Sequence, residues 1–168
     1  MMRFLALILV VATGMLVASC GGGEGPTSPT PSVPNYQGQW TWDYSITGCS
    51  GTGVFAVAPA FCDTFRVGTV LPLTLTLTQS GSQVTGTANF GNITMPVSGP
   101  VASDGRLLLN GSATIVQGGA NLNTSLQNWG TAVSGTSMTG NWGQVWSTNT
   151  GGGFANTTHA IRVMTKTG

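Results

Sequence analysis

The side chains that could do chemistry in this chain are few, since its 168 residues contain four carboxylates, one histidine and three cysteines. Catalysis requires an acid, a base or a nucleophile held beside its partner. Asp43 and Asp63 are the pair that could supply the two carboxyl groups of a glycan hydrolase. The surrounding pattern instead predicts that Asp43 faces solvent on a strand and that Asp63 lies in a loop. We therefore expect no catalytic residues, with the hydrolase as the alternative.

The remaining polar chemistry predicts neither a metal site nor a cofactor. His159 is the only histidine, and the cysteines lack the Cys-x-x-Cys spacing of a zinc site. His159 alternates in phase with Ile161 and Val163, which is typical of a histidine in a sheet. No Gly-x-Ser-x-Gly motif marks a nucleophilic serine.

The first 19 residues have the pattern of a secretory signal. Arg3 is the only charge, residues 4–16 are almost wholly apolar, and three small residues follow. The apolar run is shorter than the roughly 20 residues that a membrane-spanning helix needs. We therefore predict a cleaved signal peptide over residues 1–19.

The segment Val17-Ala18-Ser19-Cys20 resembles the lipobox of bacterial lipoproteins. The resemblance implies that Cys20 is acylated and becomes the first residue of a protein attached to the lipid bilayer of the cell envelope. In that family an aspartate after the cysteine favours retention on the inner membrane. Gly21 stands there instead, which favours the outer membrane.

Once Cys20 is assigned to the lipid, Cys49 and Cys62 remain as an even pair. Exported proteins meet an oxidising environment in which such pairs form disulfides. Closing a loop of this size contributes ~3 kcal/mol in the chain-entropy model. We predict a Cys49–Cys62 disulfide, with two free thiols as the alternative.

Composition separates a tether from a single domain. Residues 20–35 comprise the lipidated cysteine followed by a Gly/Ser/Thr/Pro-rich tether, and residues 36–168 form the domain. After residue 19 the chain has four acidic and four basic side chains. It therefore offers no basic patch for nucleic acid and no acidic cluster for a hard cation.

The domain has a period of two, which is typical of half-buried strands. The first strand alternates Trp40, Trp42, Tyr44 and Ile46 with polar residues. Tight-turn residues separate the strands, and Gly86 and Gly140 inside strands indicate sharp bending or close backbone approach. We predict an all-β, antiparallel, up-and-down barrel of about eight strands, with a β-sandwich as the alternative. The other strands are expected at residues 71–78, 83–90, 92–101, 106–115, 121–133, 138–147 and 154–166, with a short one at 53–57.

Gly38-Gln39-Trp40 on the first long strand and Arg162 on the last resemble the signature of the calycins, the superfamily of lipocalins and avidins. The resemblance implies a calycin-like barrel in which Trp40 closes one end and Arg162 stacks over its ring. The avidin ligand residues do not carry over, because Trp42 and Ile46 fall where polar groups would bind the ureido oxygen of biotin.

Binding is therefore the predicted class of function. In a barrel, an inward cluster of aromatic side chains could line a pocket for a small apolar or sugar-like ligand, or contact a partner. The alternative is a purely structural lipoprotein whose barrel is packed solid. The candidate ligand-binding residues are Trp40, Trp42, Tyr44, Trp142 and Trp146.

Overall fold

The computed structural model of the chain describes residues 32–57, 60–117 and 119–167, and the predicted signal and Cys20 lie outside them. Eight antiparallel strands form a closed barrel in which each strand pairs with the next along the chain and the last pairs with the first. The predicted up-and-down barrel is confirmed, and the β-sandwich alternative is wrong. The strands are β1 (Gly38–Gly51), β2 (Val70–Ser80), β3 (Gln83–Phe90), β4 (Ile93–Pro100), β5 (Leu107–Gln117), β6 (Ala120–Ser134), β7 (Ser137–Thr148) and β8 (Phe154–Lys166).

The apolar faces predicted from alternation turn into the barrel. Successive side chains of a strand point to opposite faces, and a closed sheet has one inner face. Asp43 is accordingly exposed on the outer face of β1. The large apolar residues on the inward faces of β1 and β7 are no more than 5% exposed, and they are Trp40, Trp42, Tyr44, Ile46, Met138, Trp142 and Trp146.

The two mid-strand glycines lie where neighbouring strands approach closely. A Cβ at Gly86 would clash with the carbonyl oxygen of Thr76, and a Cβ at Gly140 would clash with that of Gly130. The close approach predicted for both glycines is confirmed.

The connection between β1 and β2 differs from the prediction. The strand expected at residues 53–57 is wrong, because Gly53–Phe55 form a 3-10 helix. Gly53 has φ +56°, and the Ala56 N–H bonds back to the Gly53 carbonyl, so the chain turns locally. A second short helix, α1 (Phe61–Thr64), follows. Among the described residues, no helix is long and apolar enough to cross a bilayer.

The end of the barrel where β1 begins is closed by Tyr36 and Trp40, both fully buried. The Tyr36 hydroxyl donates to the Gly105 carbonyl at 2.7 Å and lies 3.1 Å from the backbone carbonyl oxygen of Thr131. The Trp40 indole N–H donates to the Tyr36 carbonyl at 2.8 Å. These contacts tie three separate parts of the chain together at the closed end.

The cation beside Trp40 is Lys166, and the predicted pairing with Arg162 is wrong. Lys166 is directly opposite Trp40 in the β1–β8 register, and its Nζ lies 5.5 Å from the centre of the indole ring. A register shift pairs Asp43 with Val163 and Tyr44 with Ile161, so Arg162 is the extra residue of a bulge. Its side chain is exposed. Trp40 is buried at one end of the barrel as the resemblance implied, but the contact with Arg162 that completed the calycin signature is not made.

Candidate functional site

The opposite end of the barrel, the mouth, carries the segment between β1 and β2. We call this segment the lid; its described residues are 52–57 and 60–69. Helix α1 begins where Asp63 Oδ2 accepts the Ala60 N–H at 3.0 Å. The Cys49–Cys62 disulfide, with a Cα–Cα distance of 5.7 Å, attaches α1 to the end of β1. The predicted disulfide is confirmed, and it fixes the lid to the barrel wall.

Replacing both Cys49 and Cys62 by alanine is expected to lower the free energy of unfolding by about 3 kcal/mol, because the unfolded chain regains the freedom of the 13-residue separation. Urea unfolding of both proteins, monitored by tryptophan fluorescence, measures this difference. Wild-type protein unfolded in the presence of a reductant, which opens the disulfide, provides the control. A double variant as stable as the wild-type protein would contradict the expectation.

Aromatic side chains join the lid to the barrel. The Phe61 and Phe65 rings stack with their centres 4.4 Å apart. Both contact Trp146 of β7, at 5.4 and 5.5 Å between ring centres. Phe55 packs edge-on against Phe61 at 5.4 Å. The inner face of the lid is therefore apolar and aromatic, and it rests on a tryptophan at the rim of the barrel.

A cavity of about 230 Å³ lies beneath this lid. A neighbouring cavity of about 490 Å³ shares Phe65, Asn92, Ile93 and Trp146 with it and opens beside the lid. A depression of about 390 Å³ between β5, β6 and β7 is bordered mainly by small polar residues, so the mouth is the apolar site. The 230 Å³ cavity is lined by Tyr44, Phe65, Leu71, Pro72, Phe90, Gly91, Asn92, Ile93, Gln144 and Trp146.

Below the cavity the barrel is filled with stacked aromatic rings. Trp142 lies between Trp129, at 4.6 Å, and His159, at 4.7 Å, with both neighbours nearly parallel to it. Tyr44 covers this stack at 5.1 Å from Trp142 and 5.2 Å from His159. Trp42 packs edge-on against Trp129. Tyr44 both lines the cavity and contacts this stack, so the stack forms the floor of the mouth cavity.

A chain of hydrogen bonds supports the floor. His159 Nε2 is 2.7 Å from the Thr157 hydroxyl, which donates to the Gln144 carbonyl at 3.5 Å. Because that hydroxyl has one proton, it accepts from Nε2–H, which leaves Nδ1 of His159 as an acceptor. The side chain of Gln144 donates to Thr124 at 2.8 Å. Burial lowers the pKa of His159 to about 4, so the imidazole is neutral at pH 7.

Several polar atoms of the barrel interior have no hydrogen-bond partner. Such an atom costs roughly 1–3 kcal/mol when buried, and each one in a folded protein calls for an explanation. Two of the tryptophans that carry such atoms, Trp42 and Trp129, pack in a T-shaped arrangement with ring centres 6.2 Å apart. The unpartnered atoms are the Nε1 atoms of Trp42, Trp129, Trp142 and Trp146, Oγ1 of Thr131 and Nδ1 of His159.

The structure separates the five predicted ligand-binding residues into three groups. Tyr44 and Trp146 line the cavity. Trp142 and Trp42 lie beneath it in the aromatic stack. Trp40 is at the closed end, bonded to Tyr36, and does not belong to the cavity lining.

The two carboxylates considered for hydrolysis occupy different parts of the molecule. Asp43 is exposed on the outer face of β1, and Asp63 is exposed in the lid, where it caps α1. Neither borders the 230 Å³ cavity. Within the described residues, no three His, Cys, Asp or Glu side chains form a group that could hold a metal ion.

Sequence reasoning missed the lid residues Phe61 and Phe65, together with Phe90, Gln144 and Trp129. Phe61 and Phe65 are four residues apart around Cys62, a spacing that puts two side chains on one face of a helical turn. That signal was available in the sequence. Gln144 alternates with Trp142 and Trp146, so its inward direction also followed from the period of β7.

Comparisons with known proteins give little beyond the architecture. No family model matches the sequence, and no curated protein matches it. The crystal structure of zebrafish ileal bile acid-binding protein complexed with cholic acid aligns with 76% of this chain and 98% of its own. The identity is 14% and the TM-score is 0.26. A likeness of this extent says nothing about the ligand of this chain, and the barrel assignment rests on its own strand pairing.

Proposed function

We propose that this chain is a non-enzymatic lipoprotein of the cell envelope that binds a small, mainly apolar molecule at the mouth of its barrel. The observation that carries the proposal is the apolar cavity bordered by Phe65 of the lid, by residues of the barrel rim and by Tyr44 of the aromatic floor. At about 230 Å³ it exceeds the roughly 150 Å³ of an apolar cavity that binds benzene.

Two features favour binding over a purely structural role. A barrel selected only for stability gains by filling its interior, because each cavity lowers stability. This barrel instead has an apolar cavity at its mouth, above the aromatic stack. A disulfide holds the lid over the opening. The buried aromatic faces favour an apolar ligand over a sugar, which would bring hydroxyl groups into an apolar space.

The binding proposal is tested at the lid with 4′-isopropylacetophenone, a neutral one-ring probe. Phe65→Ala is expected to weaken probe binding at least tenfold, because Phe65 lines both mouth cavities and stacks on Phe61. Titration calorimetry measures the affinity. Phe154→Ala is the matched control, since Phe154 is exposed and outside both cavities. Equal affinities in the two variants, or no binding to the wild-type protein, would overturn the proposal.

The attachment to lipid has its own test. Cys20→Ala is expected to abolish incorporation of a fatty-acid analogue in growing bacteria and to leave the signal uncleaved, because the thiol accepts the diacylglycerol. One acyl chain binds a membrane only marginally, so the multiple chains implied by the resemblance are needed for a stable anchor. Membrane fractionation of both proteins measures the consequence. Fatty-acid label on the Cys20→Ala variant would contradict acylation at Cys20.

A further inference from the structure

We infer that the mouth cavity selects neutral ligands with a hydrogen-bonding group, such as a carbonyl or hydroxyl, and excludes carboxylates. This inference rests on the proposed function and adds the chemical class of the ligand. It follows from the kinds of side chain that border the cavity.

The cavity has no charged side chain in its lining. Its walls and roof are Leu71, Pro72, Phe90, Ile93 and Phe65, and its polar side chains are the neutral Tyr44, Gln144 and Asn92. An ionised carboxylate loses its hydration when it is buried. Without a cation or several hydrogen-bond donors nearby, the free-energy cost of that desolvation is not compensated. A neutral ligand carries no charge to desolvate, so its burial in the cavity avoids this cost in free energy.

The two titratable groups nearest the floor are also neutral. Burial raises the pKa of Tyr44 to about 12, so its hydroxyl keeps its proton at pH 7. His159 lies behind Tyr44 with its rings 5.2 Å apart, and burial lowers its pKa to about 4. Neither residue offers a positive charge to an anion at pH 7.

The positively charged side chain of the lid, Arg66, lies outside the cavity lining. Arg66 is exposed, and its Nε donates to the backbone carbonyl of Asp63 at 2.9 Å. The Asp63 carboxylate is also exposed and caps α1. The lid therefore brings one acid and one base to the rim, and neither borders the 230 Å³ cavity.

Tyr44 and Gln144 supply hydrogen-bonding groups to a neutral ligand. The Gln144 side chain is buried and oriented by its bond to Thr124, and the second N–H and the oxygen of that carboxamide are left for a ligand. The Tyr44 hydroxyl can donate to a carbonyl or accept from a hydroxyl. Both residues line one small space, so the polar group of the ligand belongs on their side and its apolar body under Phe65.

Three isosteric probes test this assignment at pH 7.5 by titration calorimetry. They are 4′-isopropylacetophenone, which is neutral with an acceptor, 4-isopropylbenzoate, which is anionic, and 1,4-diisopropylbenzene, which has no polar group. The ketone is expected to bind the wild-type protein more than 100-fold tighter than the carboxylate. Tyr44→Phe or Gln144→Leu is expected to lower the ratio of ketone to hydrocarbon affinity about tenfold. Using this ratio separates loss of a hydrogen bond from general damage to the cavity.

Each outcome has a definite reading. Equal affinities for the carboxylate and the ketone would overturn the inference. In that case, loss of carboxylate binding in the Arg66→Gln variant would show that Arg66 at the rim binds the carboxylate. An unchanged ketone-to-hydrocarbon ratio in both variants would also overturn it. In either case the mouth remains a ligand site. If none of the three probes binds the wild-type protein, the proposed function itself fails.

Discussion

Replacing Trp40 by alanine is expected to lower the free energy of unfolding by about 3–5 kcal/mol, the usual cost of truncating a buried tryptophan. Trp40 is fully buried, its indole N–H bonds to the Tyr36 carbonyl, and its ring lies beneath Lys166 Nζ. The variant loses all three interactions and leaves a cavity at the closed end. Urea unfolding at pH 7 measures the loss.

Two milder variants separate the components of this effect. Trp40→Phe keeps a ring but loses the bond to Tyr36, and a smaller loss is expected. Lys166→Met removes the charge above the ring and is expected to cost about 0.5–1 kcal/mol, as for cation–π contacts near the surface. Probe binding should survive in both, since the mouth lies at the other end. A Trp40→Ala variant within 1 kcal/mol of wild type would contradict a structural role for the closed end.

The second large effect concerns pH. Burial lowers the pKa of His159 from its usual 6.5 to about 4 in the folded protein. Between these values the unfolded chain takes up a proton that the folded chain does not, so stability falls as the pH is lowered from about 6.5 to 4. At about 1.36 kcal/mol for each pH unit, the loss reaches roughly 3 kcal/mol near pH 4.

His159→Gln provides the comparison, because glutamine does not titrate while still offering a polar side chain beside Thr157. The difference in unfolding free energy between the two proteins is expected to change with pH only between about 6.5 and 4. Urea unfolding at pH 7.0, 5.5 and 4.5 measures that difference. A difference that is independent of pH would mean that His159 is protonated alike in both states.

The barrel was predictable because its signal is spread over every strand. Alternation in β1 and β7 identified the faces that turn inward, and the inward side chains are buried as expected. A closed sheet then follows from the number of strands, their short connections and the glycines at close approaches.

Trp129 escaped prediction because the period of two is interrupted beside it. Continuing the alternation from Leu126, which is inward, would direct Asn128 inward and Trp129 outward. The structure has a bulge between Gln127 and Gly130, with Asn128 at φ +53°. Asparagine tolerates this left-handed conformation better than most residues, and the extra residue changes the phase. Trp129 is therefore inward, beside Trp142.

The position of the lid could not be predicted for a different reason. The spacing of Phe61 and Phe65 indicated a helical turn, but where that turn lies depends on the disulfide and on contacts with Trp146. Val54 and Val57, within the segment predicted as a short strand, are both exposed. The Arg162 error has another origin, since its contact with Trp40 was implied by the calycin resemblance, and Lys166 stands opposite Trp40 instead.

The central claim, that a small apolar molecule binds at the mouth beneath the lid, is tested most directly by nuclear magnetic resonance of the indole N–H groups. The chain has five tryptophans, and they run from the closed end, at Trp40, to the cavity lining, at Trp146. Addition of 4′-isopropylacetophenone is expected to shift the Trp146 indole signal most and to leave the Trp40 signal in place. Shifts centred on Trp40, or no saturable shift of Trp146, would contradict the account.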